Sequence, residues 1–463
     1  MTTKDIAATQ SECERALGEI RTRVSLSGSA PQKIAIAYSG GLDSAALLHL
    51  LHAYAAQHEL ELFAFHVHHG LSPNADQWLL HCQQLCANLN VVFDVRRVQI
   101  ANQEKSGVEE AARHSRYAAL GDMCRAHDVP LLLTAHHQDD QAETVLLQLL
   151  RGSGVAGLSG MDSANHAADL LGDATLLMGR PLLQLTRADL EKVVAQNAIA
   201  FVEDESNLDP RYARNALRHQ VMPTLAQHFP GFQQRFARTA QHAQSAQRLL
   251  VELAAQDLKV CLDGECLDIT KLKNFSADRI DNMLRYWFGV RGVRMPSTSW
   301  LNEMRSQLLE AKHDAQLCVT HADCHIRRHR DRVFITPKLA PETLEQPPPP
   351  FEWKGEAAIH FSEFSGTLYF ETAEQGIAAD WLRSQLLMLQ LRSGGERLKP
   401  AWNRPTKSLK YHYQACDVPA WERERLPLVF AGKQLLFAAG IGMDCHQISS
   451  EAGPHIQFRW QFD

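Results

Sequence analysis

Ile34-Ala35-Ile36-Ala37-Tyr38 is an apolar, strand-forming run that ends abruptly in Ser39-Gly40-Gly41-Leu42-Asp43-Ser44, and a helical pattern follows from Ala45 to Ala56. Two adjacent glycines let the backbone turn sharply between strand and helix. The consecutive N–H groups of such a turn, with a helix N-terminus behind them, form a positive concavity for an anion. Ser39 and Ser44 add hydroxyl donors, and Asp43 can hold a magnesium ion that bridges phosphate oxygens. Ordinary strand-to-helix turns are also capped by glycine with Asp or Ser. The whole six-residue run in its strand, loop and helix context points instead to a cradle for pyrophosphate, built from Ser39, Gly40, Gly41, Leu42, Asp43 and Ser44. The Gly-Lys-Ser loop of common mononucleotide sites is absent from the chain.

At 463 residues the chain exceeds what one hydrophobic core usually organises, so several domains are expected. Hydrophobic content of 45% and charged content of 22% describe an ordinary globular protein. No apolar run has the length of a membrane helix and the N-terminus lacks a basic-then-apolar signal pattern, which predicts a cytoplasmic protein. Ten cysteines are scattered without a Cys-x-x-Cys, so reduced thiols are expected and no zinc or iron-sulfur site is indicated. The net charge of -6 does not point to nucleic acid, but a local basic face suffices to gather phosphates.

Further strands are expected at Leu62 to Val67, Val91 to Val98 and Leu131 to Thr134, and helices at Asp76 to Leu89, Val108 to His127 and Asp139 to Leu150. Such alternation implies a doubly wound parallel α/β sheet whose ligands sit at the carboxyl ends of the strands. The first thirty residues hold a weak amphipathic helix that braces the sheet. Beyond Met222-Pro223 the pattern changes to long helices, including Phe232 to Leu258 and Ile280 to Val290, and closes with a strand from Cys324 to Ile335. Gln346-Pro347-Pro348-Pro349-Pro350 is a stiff extended stretch. The expected organisation is an α/β domain over 1–222, a mostly helical substrate-binding domain over 223–340, a linker over 341–380 and a small mixed α/β domain over 381–463.

Thr134-Ala135-His136-His137-Gln138-Asp139-Asp140-Gln141-Ala142-Glu143-Thr144 follows the Leu131 strand. A helix opened at His136 puts His136, Asp140 and Glu143 on one face, where an imidazole and two carboxylates can bind a metal or manage protons. The bland reading is a helix N-terminus that carries acids because its dipole favours them.

The glycine loop resembles the PP-loop of the ATP pyrophosphatase superfamily, and its pairing with His-His-Gln-Asp-Asp-Gln-Ala-Glu-Thr is similar to the tRNA(Ile)-lysidine synthetase family. Further matches are His66-Val67-His68-His69-Gly70-Leu71, Glu110 to Tyr117, Arg151-Gly152-Ser153-Gly154 with Gly157 to Met161, Arg180-Pro181-Leu182-Leu183, Asp204-Glu205-Ser206-Asn207, Arg214 to Arg218, Arg392 to Arg397 and Glu424 to Leu428. The resemblance implies that ATP adenylates O2 of the wobble cytidine of an isoleucine tRNA with a CAU anticodon. Free L-lysine then attacks C2 and expels AMP, leaving lysidine. It also implies Asp43 on Mg2+ and pyrophosphate, His136 and Asp140 beside the adenylation centre, Arg113 on developing negative charge, and Asp140 or Glu143 as base for the lysine amine. Arg113 and Arg116 can equally be solvated helix residues, and Arg214 and Arg218 can pair with Glu203 or Asp204. A homodimer is compatible with the sequence.

For RNA contact, strand alternation puts Arg328, Arg330 and Arg332 on one face with Arg327 opposite, and Lys399, Arg404, Lys407 and Lys410 interleave with Trp402 and Tyr411. A solvated charged surface explains either cluster as well. Tyr411-His412-Tyr413 departs from the more lysine-rich, aliphatic stretch the resemblance leads one to expect. The alternative function is a PP-loop tRNA thiolase, which needs paired or cluster-binding cysteines; Cys82 and Cys86, four apart on an expected helix, are the nearest approach. Small-molecule amidating relatives and a non-catalytic RNA-binding module are the remaining rivals.

Overall fold

After helix α1 (Thr3–Ser25), strand β1 (Lys33–Ala37) leads through the glycine loop into α2 (Leu42–Gln57). β2 (Glu61–His68), α3 (Ala75–Asn88), β3 (Val92–Arg97), α4 (Val108–Ala126), β4 (Leu131–Leu133) and α5 (Gln138–Leu150) continue the alternation. β5 (Ala164–His166), β6 (Leu177–Gly179) and α6 (Arg187–Gln196) complete the sheet and its cover. The computed structural model describes residues 3–25, 31–70, 72–98, 108–203, 213–310, 317–338, 348–449 and 453–463.

The sheet order is β3-β2-β1-β4-β6-β5, parallel except for β5, which runs antiparallel to β6. Ile34 and Ile36 face one side and pack with Leu131 and Leu133 against Leu17 and Ile20 of α1 and Leu47 and Leu51 of α2. Ala35, Phe63, Phe65 and Leu132 face the other side, against Tyr117, Leu120 and Met123 of α4. Both faces are covered, which is why these strands read as unbroken apolar runs instead of alternating ones. The chain moves outward from β1 through β2 to β3, then returns to β4 on the opposite flank of β1. The carboxyl ends of β1 and β4 therefore border the point where strand order reverses, the place where open α/β sheets bind ligands.

The chain divides into units 1–253 and 254–463, inside helix α7 (Phe232–Cys261) and beyond the expected boundary at Met222-Pro223. Met222 and Phe232 are buried with Ala142 of α5, which ties this segment to the first unit.

In the second unit, α8 (Ala277–Val290) and α9 (Thr298–Glu310) bury Met283, Trp287, Leu301 and Met304 with Leu267, Ile326 and Val333 of a five-stranded antiparallel sheet, so the expected mostly helical domain is half sheet. The single strand expected over Cys324 to Ile335 is a hairpin of β7 (Cys324–His329) and β8 (Arg332–Pro337), turning at Arg330 with φ 51°. Reversal at that turn breaks the expected alternation: Arg328 is buried and donates to the carbonyls of Leu308 and Arg330, so Arg328, Arg330 and Arg332 do not form one basic face. The expected linker over 341–380 also needs correction. Gln346 and Pro347 lie outside the described residues, but Phe351–Glu352 pairs with Leu386–Gln390, and Gly366–Ala373 pairs with Ala358–Phe361 and His455–Phe462. Trp353, Phe361, Phe364, Leu368 and Phe370 are core residues there. Among the described residues no helix is long and apolar enough to cross a membrane.

Candidate active site

The glycine loop sits where β1 ends. Gly40 has φ 87°, a conformation that strains any side chain, and a Cβ there would lie 2.7 Å from Cys82 Sγ and 3.1 Å from Val202 Cγ2. Its carbonyl accepts from the Val202 N–H at 2.9 Å. Gly41 caps α2 without a side-chain partner, so the helix N-terminus and its free N–H groups open toward the loop. Ser39 Oγ and Ser44 Oγ are 3.1 Å apart, and Ser44 also donates to the Gly41 carbonyl at 3.0 Å. Leu42 and Asp43 open α2, and Arg187 Nη1 approaches Asp43 Oδ2 at 3.2 Å.

The end of β4 supplies the other half of the site, with one correction to the expected geometry. Helix α5 starts at Gln138, with His137 as its extended N-cap, so His136 precedes the helix and does not share a face with Asp140 and Glu143. His136 is fixed from behind by Thr134 Oγ1 at 2.8 Å from its Nδ1. Asp140 Oδ2 accepts the His137 backbone N–H at 3.1 Å.

The two adjacent histidines are driven in opposite directions. Burial pushes His136 down to about 3, against the pull of Asp140 and with help from Arg180, Arg214 and Arg113, so its imidazole is neutral at physiological pH. Burial acts on His137 the same way, yet Asp43, Asp140 and Asp139 surround it and raise it above its ordinary value. Its Nε2 is 3.6 Å from Asp43 and 3.4 Å from Asp140, and its Nδ1 is 3.6 Å from Asp139. For Asp140, burial favours the neutral acid, but the charges of His137 and Arg214 and the His137 backbone N–H outweigh it and hold the carboxyl below the usual range. Neighbouring titratable groups pushed apart in this way are a mark of acid–base sites.

Arg214 and Arg218 do not pair with Glu203, and Asp204 lies outside the described residues, as do the rest of the Asp204 to Asn207 motif and Leu71. Their partner is Glu143: Arg214 Nε donates at 2.8 Å to one oxygen and Arg218 Nε at 2.6 Å to the other, while Arg218 Nη2 reaches Asp140 at 3.0 Å. A short helix over Ala213–Ala216 running into a π turn over Leu217–Val221 carries both guanidiniums, four residues apart. Arg113 lies over the Tyr117 ring at 4.8 Å. Arg187 and His137 were not picked out by sequence reasoning. Arg187 reaches Asp43 across 144 residues of chain, a separation that no local pattern signals.

Comparison with known proteins fits this geometry. A family model for a PP-loop domain matches residues 9–225, one for the TilS substrate binding domain matches 267–334, and one for the TilS substrate C-terminal domain matches 387–460. The chain is 40% identical over 440 residues to the tRNA(Ile)-lysidine synthase of Ralstonia nicotianae, covering 93% of each chain. It is 36% identical over 405 residues to that of Coxiella burnetii, covering 88% of each. The chain belongs to the tRNA(Ile)-lysidine synthase family. Its PP-loop domain is the ATP-binding part of a tRNA(Ile)-lysidine synthase, and the glycine turn at the end of β1 lies within the residues that domain model matches. The cysteines a thiolase would need do not fit: Cys82 and Cys86 are buried, and burial pushes both thiols up to about 12, far from the thiolate that ligates a cluster.

Proposed function

We propose that the protein ligates free L-lysine to C2 of the wobble cytidine of isoleucine tRNA bearing a CAU anticodon, consuming ATP and releasing AMP and pyrophosphate, in the cytoplasm. The juxtaposition at the strand-order reversal carries this reading: a phosphate cradle after β1 beside a neutral imidazole in the loop after β4 and a charged carboxylate in the first turn of α5.

The chemistry divides into two displacements. Cytidine O2 attacks the α-phosphorus of ATP and pyrophosphate leaves; the lysine Nζ then attacks C2, the C2–O2 bond breaks, and AMP departs with the oxygen. Backbone N–H groups of the Ser39 to Ser44 loop and the α2 N-terminus neutralise the departing pyrophosphate, a preorganised form of charge stabilisation. Asp43 fits a magnesium ion, since Mg2+ takes one or two protein carboxylates and completes its shell with water and phosphate oxygens, which would offset charge on the triphosphate. His136, neutral and pinned by Thr134, is suited to hydrogen-bond the base without adding positive charge. Arg113, whose charge is felt at His136, is our candidate countercharge.

The lysine ammonium has a reference pKa of about 10.4 and must lose a proton before attack. Of the two acids, Glu143 has a side chain only 1% exposed, with both oxygens engaged by Arg214 and Arg218, which suits it to fixing those guanidiniums. Asp140, 13% exposed and held ionised, remains the acid within reach of a substrate and is our candidate to pair with the lysine ammonium, whose proton passes to solvent as the amine attacks.

For the RNA, the stretch from Arg397 to Cys416 contains Arg397, Lys399, Arg404, Lys407 and Lys410 and no Asp or Glu, within a chain of net charge -6. Trp402 is 65% and Tyr411 54% exposed, with Lys399 Nζ 5.3 Å and Lys407 Nζ 5.6 Å from their ring centres. Exposed rings flanked by cations suit base stacking and phosphate contact.

The test is incubation with ATP, labelled lysine and either the isoleucine or the methionine CAU tRNA, followed by digestion and nucleoside analysis. Lysidine in the isoleucine tRNA alone is the expected result. A labelled product in neither, or a sulfur-bearing nucleoside when a sulfur donor replaces lysine, overturns the reading.

A further inference from the structure

The hairpin of β7 and β8 is the most arginine-dense segment of the second unit, and three of its side chains, His329, Arg330 and Arg332, converge on one carboxylate. Asp417 Oδ1 accepts from His329 Nε2 at 2.9 Å and from Arg330 Nη1 at 3.0 Å, and Asp417 Oδ2 lies 4.0 Å from Arg332 Nη1. Arg332 is also bound by Asp263 at 2.9 Å, and Arg330 Nη2 donates to the Gln414 carbonyl at 3.4 Å. Trp421, on the same segment as Asp417, completes the contact: the Arg327 guanidinium lies 5.4 Å from its ring centre, and the His329 and Phe334 rings meet it edge-on at 6.0 and 5.6 Å.

We infer that Asp417 is a positioning residue that seats this hairpin against the 409–425 segment, so that two substrate-handling modules present their surfaces to RNA as one body. The inference rests on the tRNA reading above. Charge balance separates it from the obvious alternative, direct phosphate contact by the hairpin arginines. Arg330 and Arg332 each face a carboxylate, Asp417 and Asp263, so these two guanidiniums are paired where they stand and attract a polyanion less than free ones. The Arg397 to Lys410 face, by contrast, has no ion pair among the described residues. Asp417 itself has φ 60°, a left-handed position that Asp and Asn tolerate better than most side chains. An aspartate there satisfies both the backbone and the cations.

Asp417→Asn keeps the backbone preference and removes only the charge, so the two readings predict opposite signs. If Asp417 seats the hairpin, the variant raises KM for tRNA about five- to tenfold, the low end of measured coupling between sites. The KM for ATP stays at its wild-type value, and Asp417→Glu, which keeps the charge but not the side chain suited to φ 60°, shows a smaller rise in tRNA KM than Asp417→Asn. If the arginines contact phosphate, freeing them from their carboxylate lowers the tRNA KM and steepens its dependence on salt. An unchanged or lowered tRNA KM overturns the inference. Trp421→Leu, which removes the ring contacts without altering charge, is expected to raise tRNA KM as well and serves if the asparagine variant fails to fold. Absence of lysidine formation by the wild-type enzyme would instead refute the functional reading and is scored in the same assay.

Discussion

Gly40→Ala tests whether the pyrophosphate cradle depends on close approach from behind. At φ 87° an alanine adopts a left-handed conformation, costing roughly 1–2 kcal/mol. Its methyl group would sit 2.7 Å from Cys82 Sγ and 3.1 Å from Val202 Cγ2, and Cys82 is wholly buried on α3. Overpacking of this kind costs about 1–3 kcal/mol more. The sum, about 2–5 kcal/mol, is a large part of a typical domain's stability. Urea unfolding of Gly40→Ala, Cys82→Ala and the double variant forms a cycle in which truncating the thiol relieves the clash and leaves the backbone penalty. We expect a coupling of about 1–3 kcal/mol, with KM for ATP raised in the single glycine variant and partly recovered in the double. Additive effects in the cycle, or a Gly40→Ala protein as stable as wild type, would refute the packing argument.

Glu143→Ala strands two guanidiniums beside α5 and is expected to destabilise the first unit by about 3 kcal/mol, measured by thermal or urea unfolding, because breaking a buried ion pair leaves uncompensated charge. The two histidines should give stability opposite pH slopes. His136 is held near 3 in the native state, so unfolding takes up its proton below about 6.5 and stability falls as pH drops, by about 2 kcal/mol between pH 6.5 and 5. His136→Gln flattens that limb in urea titrations. His137 is raised, so its contribution is present below the unfolded value and is lost as pH rises through the native one. His137→Gln should therefore cost more stability at pH 6 than at pH 9. Trp402→Ala should raise KM for tRNA by the equivalent of about 1–3 kcal/mol without moving KM for ATP; equal KM values for wild type and variant would remove that ring from the RNA surface.

The first unit was legible in the sequence because β1, β2 and β4 are buried on both faces and its glycine loop has a distinctive order, so periodicity and motif agree from Ile34 to Leu150. What escaped reading was set by distance along the chain. The acid partners of Arg214 and Arg218 were sought nearby at Glu203 and Asp204, whereas Glu143 lies 71 and 75 residues away. The helical face drawn through His136 failed by two residues, because the histidine after it takes the cap position and extended backbone delays the helix. The turn at Arg330 was hidden because no glycine, proline or asparagine marks it; the arginine itself adopts the left-handed conformation. Past Pro350, the alternation of Leu368 and Phe370 with Thr367 and Tyr369 was available as a strand signal, but the proline run beside it suggested a linker.

The distribution of arginines explains how a chain of net charge -6 can handle RNA. Arg214 and Arg218 are bound to Glu143, Arg328 to carbonyl oxygens, and Arg330 and Arg332 to Asp417 and Asp263. Each of these cations holds backbone or helix in place, and each is neutralised or saturated where it stands. Among the described residues, Arg397, Lys399, Arg404, Lys407 and Lys410 have no ion pair, and two rings stand open beside them. Removing a carboxylate should therefore disturb geometry at the first set of sites. Removing a lysine from the last set should instead weaken RNA binding and reduce its salt dependence, since only uncompensated charges release counterions from a phosphate backbone.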